Sequence, residues 1–353
     1  MAFCKTRVAL AALSVTLLAA CGDSGPSQFN AAAMNADLSL LQDSGNDHGV
    51  GQVFDAMDAV LGSSATLSIG KLAAHSLSAS DAHTTTLVLK SVLARPAISA
   101  SAGIPTGDAG KTWVYNSGSQ TYEVSDLTGA PANGVRVLLY EQDLNGQFIL
   151  PLVETGHVDL TDLSSGSTRK GRLQAVEGSA TTVDYTVTVT GDDTNGDIGV
   201  NGFLVFPAGR LNVDFSASGS TSGSTTTFDL SSSLDFPSRD LSFDFGFSGS
   251  SDDAAQTGAY SLTETVNSSN GRMDLVATSD YHDNTSGTIK VNGDIWATFN
   301  GDTLTPVDGR TLTGDEHDAL EGVIGLTYLG ILVPIAMVAV MAALTGTLPP
   351  TGI

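Results

Sequence analysis

Between residues 111 and about 300 the chain alternates apolar and polar side chains with a period of two, the spacing of a half-buried strand. The alternation is clearest at Leu211, Val213, Phe215 and Ala217 against Asn212, Asp214 and Ser216. It returns at Leu241, Phe243, Phe245 and Phe247 against Ser242, Asp244 and Gly246. Further strands are expected around Trp113 and Tyr115, around Tyr122 and Val124, and over 158–163, 172–176, 183–189 and 200–206. Later runs cover 260–266, 273–277 and 288–299, the last with an internal Asn292-Gly293 turn. Residues 135–140 and 148–153 read as a hairpin about Asp143-Leu144-Asn145-Gly146, because Asn-Gly accepts the positive φ of a tight turn. About a dozen short strands without helical crossovers predict a mainly β protein, a large curved antiparallel meander forming an open or partly closed barrel.

Helical spacing occurs near both ends. Residues 31–41 form one such stretch, and 52–61 another, with Val53, Phe54, Met57, Val60 and Leu61 on one face. Residues 84–93 are expected to add a short element. At the other end Thr313-Gly314-Asp315-Glu316 opens a helix with acids in its first turn, where they oppose the helix dipole. Residues 322–344 then run without a charge, interrupted by Pro334. That length suits a membrane span. However, no Lys or Arg lies within ten residues of either end, and Tyr328, the only aromatic, is at neither end. Spanning helices usually carry such anchors, whereas a helix apolar all round also suits the core beside a large sheet. The expectation is therefore an apolar helix on the sheet's concave face. The resulting divisions are 1–20 as a signal segment, 21–110 as a low-complexity tether with short helices, and 111–312 as the sheet. Residues 313–346 form the helix that completes the core, and 347–353 a tail.

Charge narrows the function classes. The chain of 353 residues carries 38 Asp and Glu against 15 Lys and Arg, a formal net charge of −23. Such a surface repels phosphate backbones, so no nucleic-acid partner is expected. Asp214 and Asp244 are expected on neighbouring strands of the polar face, where like charges repel. No His or Cys spacing focuses a metal, and no nucleophile elbow, phosphate loop or dinucleotide fingerprint occurs, so neither a cofactor nor enzymatic activity is expected. Asp193, Asn195 and Asp197 resemble a calcium loop only faintly, lacking the spacing and distal Glu of an EF-hand. The plainer reading is a hairpin turn in which Asn195-Gly196 supplies positive φ.

The first segment carries the one specific motif. Lys5 and Arg7 precede an apolar run, and Leu18-Ala19-Ala20-Cys21 follows. That ending resembles the lipobox of bacterial lipoproteins. The resemblance implies cleavage before Cys21, acylation of Cys21, and anchorage to a membrane through the N-terminal lipid. Gly22, rather than Asp, follows the Cys, which by the same analogy directs the protein to the outer membrane in preference to the inner. Cys4 would leave with the signal, so Cys21 would be the only thiol and no internal disulfide could form. The expected architecture resembles the unclosed β-barrel of periplasmic lipoprotein and lipid carriers. That analogy implies an apolar ligand held between sheet and helix, against Leu211, Phe215, Phe243, Phe245 and Val323. The alternative is a structural or surface-display lipoprotein with a filled core.

Overall fold

The computed structural model describes residues 30–34, 36, 48–61, 107–320 (save 144, 145, 193, 253, 283 and 302), and 323, 330, 334, 337 and 338. The signal segment, Cys21, residues 84–93 and most of 322–344 lie outside the described residues. Fifteen strands form one sheet: β1 (Lys111–Asn116), β2 (Thr121–Ser125), β3 (Gly134–Tyr140), β4 (Glu154–Asp162) and β5 (Arg169–Glu177). Next come β6 (Ala180–Gly191), β7 (Asn195–Phe206), β8 (Gly209–Ser222), β9 (Thr225–Phe236) and β10 (Leu241–Asp252). The sheet continues through β11 (Thr257–Ser268), β12 (Gly271–Asp280), β13 (Ser286–Val291), β14 (Asp294–Asn300) and β15 (Thr303–Pro306).

From β3 to β15 each strand pairs antiparallel with the next, so this part is an uninterrupted meander. The start differs from the expected pattern, because β1 lies between β2 and β3 and runs parallel to β3. β2 and β15 stand at the two ends of the strand order, and the sheet is open.

One further expectation is corrected, and one strand has no counterpart in the sequence pattern. Residues 148–153 form no strand; Phe148 makes only an isolated bridge to Gln142, and β3 pairs with β4 instead. Pro151 lacks the N–H that a ladder needs. β9 was not foreseen. Its Ser231-Ser232-Ser233 run interrupts the apolar alternation, yet the strand pairs along its length with β8 and β10.

Tight turns join the strands as the sequence suggests at one site and otherwise at another. Asn292 (φ 51°) and Gly293 (φ 94°) turn β13 into β14, a conformation that Asn and Gly tolerate best. Asn195 and Gly196, in contrast, are already in β7, and Gly191 (φ 141°) takes the unusual backbone angle at that hairpin.

One face of the sheet is apolar and forms a continuous core with helix α1 (His48–Leu61). Val53, Phe54 and Met57 of α1 are buried, and Phe54 stacks on Tyr185 with ring centroids 6.4 Å apart. The Gln52 amide donates to the Tyr140 carbonyl, fixing the helix to the end of β3. Residues 31–34 and 36 are also helical, and Met34 is buried. Residues 314–320 form a helical segment that begins with a reciprocal cap. The Thr313 N–H donates to Glu316 Oε2 at 2.8 Å, and the Glu316 N–H donates to Thr313 Oγ1 at 3.3 Å.

Beyond it, Val323, Gly330, Pro334, Met337 and Val338 are helical and buried. Leu320, Val323, Met337 and Val338 join the same apolar cluster as the strands. No helix among the described residues is long and apolar enough to cross a membrane.

Candidate ligand-binding face

The pleat lines side chains into cross-strand rows, and the central rows of the apolar face contain the residues singled out from sequence. One row runs Val187, Val200, Phe215, Ser232, Phe245, Glu264, Leu275, Ile289 and Ala297, from β6 to β14. The adjacent row runs Tyr185, Gly202, Val213, Leu234, Phe243, Val266, Met273 and Val291. Leu211, Phe215, Phe243, Phe245 and Val323 are all buried in one cluster. The rings of Phe243 and Phe245 stack with centroids 6.4 Å apart. Gly202 is required where it stands: a β-carbon there would lie 2.5 Å from Tyr185 Cβ, so the Tyr185 side chain occupies the space over its backbone.

Two polar residues break the apolar row, and sequence reasoning missed both. Ser232 is 3% exposed and Glu264 2% exposed. Among the described residues Glu264 is the one acidic or basic side chain that is buried. Among the described residues, Ser232 Oγ and the Tyr185 hydroxyl are buried without a hydrogen-bond partner, and burial pushes the Tyr185 hydroxyl pKa upward. Buried polar groups are nearly always hydrogen-bonded in native proteins, so each such group asks for an explanation. The sequence did hold a signal. Leu230-Ser231-Ser232-Ser233-Leu234 and Leu262-Thr263-Glu264-Thr265-Val266 each place a polar residue at the centre of an inward-facing apolar triplet.

The opposite face is a polar ladder. Its main row reads Thr186, Asn201, Asp214, Ser233, Asp244, Thr265, Asp274 and Lys290. Asp214 and Asp244 are therefore not on neighbouring strands, as the sequence suggested; Ser233 of β9 separates them. Asn201 donates to Asp214 at 2.7 Å, Ser233 to Asp244 at 2.7 Å, and Thr265 to Asp274 at 2.7 Å. Alternating each carboxylate with a neutral donor or a cation replaces cross-strand repulsion with hydrogen bonds. Arg136 and Arg172 add two-pronged pairs to Asp159 and Asp184.

A depression of about 470 Å³ on this face is lined by Asp184, Asn201, Phe203, Arg210, Asp214 and Asp235, among others. Its three carboxylates already accept hydrogen bonds from Arg172, Asn201 and Asn212. The Arg210 guanidinium lies 3.7 Å from the centre of the Phe203 ring, covering the aromatic surface. The depression is thus a self-satisfied network.

Several remaining aspartates cap turns. Asp162, Asp192, Asp252, Asp280 and Asp308 each accept the N–H of the residue two places on. Such donors hold three of these carboxyls below the usual range, chiefly the Thr194 N–H at Asp192, the Ala255 N–H at Asp252 and the Asn284 side chain at Asp280. In the loop that resembled a calcium site, Asp192 accepts both the N–H and the hydroxyl of Thr194. Asp193 lies outside the described residues. Among the described residues no group of three or more His, Cys, Asp or Glu is arranged to hold a metal. The chain matches no protein-family model, no curated protein and no solved structure.

Proposed function

We propose that the protein is a non-enzymatic bacterial lipoprotein, anchored through acylated Cys21, that carries an apolar, lipid-like ligand against the apolar face of its sheet. In this reading residues 1–20 are removed as a signal and the domain resides in the cell envelope, at the outer membrane in preference to the inner. The C-terminal apolar segment packs over the concave side of the sheet and forms the other wall of the ligand space. The observation that supports carriage is the row in which Ser232 and Glu264 interrupt seven apolar residues. A core built only to stabilise the fold gains about 25 cal/mol for each Å² of apolar surface buried, and polar groups there cost free energy.

The second reading is a structural or surface-display lipoprotein whose interior is filled by its own chain. It is supported by the near-complete burial of Leu211, Phe215, Phe243, Phe245 and Val323. Organic extraction and mass spectrometry of protein purified from envelopes separates the two. A stoichiometric acyl compound beyond the Cys21 modification supports carriage; its absence supports the filled core. The anchor is tested separately by Cys21→Ala, which should lose labelling by radioactive palmitate and pass into the soluble fraction. Membrane retention of that variant through carbonate washing would overturn a lipid anchor as the sole attachment.

A further inference from the structure

In the meander alternate turns fall at the same end of the sheet, so residues 141–153 share one end with the β7–β8, β9–β10, β11–β12 and β13–β14 turns. Both described N-terminal helical pieces reach this end. The hydroxyl of Ser268, the last residue of β11, donates to the Met34 sulfur at 4.0 Å, and the Gln52 amide of α1 donates to the Tyr140 carbonyl at the end of β3. Residues 141–153 leave the sheet from that same Tyr140. The Phe148 ring is tucked against Tyr115, centroids 3.9 Å apart, and the Ile149 N–H donates to the Glu141 carbonyl at 3.0 Å. With Phe148 held inward, Ile149, Leu150 and Val153 are left exposed, Leu150 at 66%. Ile295, just past the β13–β14 turn, and Val307, just past β15, are exposed at the same end. The opposite end exposes Leu127 and Leu163 singly, among turns capped by Asp162, Asp192, Asp252 and Asp280.

Cys21 lies nine residues before Asn30, whose carbonyl accepts the Met34 N–H. Nine residues fully extended span ~32 Å, less than the ~40 Å length of the 12-residue β9. An acylated Cys21 therefore enters a bilayer nearer this end of the sheet than the other. We propose that this end faces the membrane and that Ile149, Leu150 and Val153 insert into its surface, a second contact beside the lipid. The inference rests on the lipid anchor of the proposed function and extends it from attachment to orientation. Glu141, Asp143 and Glu154 flank the inserting residues, so the partner is a zwitterionic lipid surface; an anionic one would repel them.

The test uses the full-length acylated protein reconstituted into phosphatidylcholine vesicles. With Cys4 removed and Cys21 acylated, an introduced cysteine is the only free thiol. Leu150→Cys and Ser222→Cys, the latter at the opposite end of the sheet, are each labelled with the environment-sensitive dye NBD. Both positions are exposed, so the label leaves the core packing intact. Dye at residue 150 is expected to emit at shorter wavelength, to be quenched by nitroxide-bearing lipid and to be shielded from aqueous iodide. Dye at residue 222 should be quenched by iodide and spared by the nitroxide lipid. With the dye moved to Val153→Cys, adding Leu150→Asp should lower the docked population about tenfold, the factor set by withdrawing one apolar side chain from the bilayer. Vesicle-bound protein in which iodide quenches residue 150 as readily as residue 222 would overturn the docked orientation while the anchor stood. A signal at residue 153 that is indifferent to Leu150→Asp would do the same. Wild-type protein that takes up the dye, or that fails to float with the vesicles, would overturn the anchor and the proposal with it.

Discussion

Gly330 lies against the edge of Phe243: a β-carbon at position 330 would fall 2.7 Å from Cε1 of that ring. Contact this close leaves no room for a side chain unless the ring or the helical residue shifts. Gly330→Val is therefore expected to destabilise the fold by ~1–3 kcal/mol, the usual range for overpacking a filled interior. Urea titration followed by tryptophan fluorescence measures it. A variant as stable as the wild type would show that residue 330 stands clear of the sheet.

The Thr313–Glu316 cap predicts a pH dependence. Arg310 donates to both Glu316 carboxyl oxygens, at 2.7 and 2.6 Å, and with the Thr313 donors it lowers the Glu316 pKa to about 2. A carboxyl held lower in the folded than in the unfolded chain stabilises the fold above its ordinary pKa, 4.5 here. That stabilisation is lost as pH falls from 4.5 toward 2. Glu316→Gln should thus be less stable than the wild type at pH 7, and the gap should narrow between pH 4.5 and 2. Thr313→Ala should cost about 1 kcal/mol at pH 7. A gap that stays constant over this interval would contradict the assignment.

On the polar face, Ser233 separates Asp214 from Asp244. Ser233→Asp would place three carboxylates on consecutive strands in one row. A loss of about 1 kcal/mol is expected at low salt. Most of it should return in 1 M NaCl, where the screening length falls to about 3 Å. Ser233→Asn keeps a donor and should cost less under both conditions. A salt-independent loss would assign the effect to packing.

Phe54 is the side chain of α1 that stacks on Tyr185. Phe54→Ala removes a buried ring, a change that typically costs 3–5 kcal/mol when the whole fold depends on the site. Here the loss is expected to be partly local. Amide exchange in His48–Leu61 should accelerate by at least tenfold while β8 to β12 remain protected. Uniform acceleration across the sheet would show that α1 and the strands unfold as one unit.

The sequence made some elements plain and concealed others for physical reasons. β8 and β10 were legible because Leu211 to Ala217 and Leu241 to Phe247 alternate without error, and Asn292-Gly293 fixed a turn by its backbone tolerance. β9 was hidden because Ser231, Ser232 and Ser233 are weak strand formers, and its two long neighbours hold it in the sheet. The parallel pairing of β1 with β3 leaves no local trace, since it depends on which distant edges meet.

The aromatic part of the candidate face followed from periodicity. Its polar part was harder to see: in a chain this rich in Ser, Thr and acids, the placing of Ser232 between Leu230 and Leu234, and of Glu264 between Leu262 and Val266, stands out only once the register shows that those positions face inward. The alternation of Asp with Ser, Thr and Asn across strands was equally invisible, because its partners lie on different strands.

Carriage requires the apolar face to be in contact with a ligand. Photo-leucine incorporated throughout the protein in living cells, followed by irradiation and peptide mapping, probes that contact with little change to the packing. Peptides bearing Leu211, Leu230, Leu234 and Leu275 are predicted to carry the mass of an acyl amphiphile. Cross-links from these positions solely to the protein's own chain would contradict carriage.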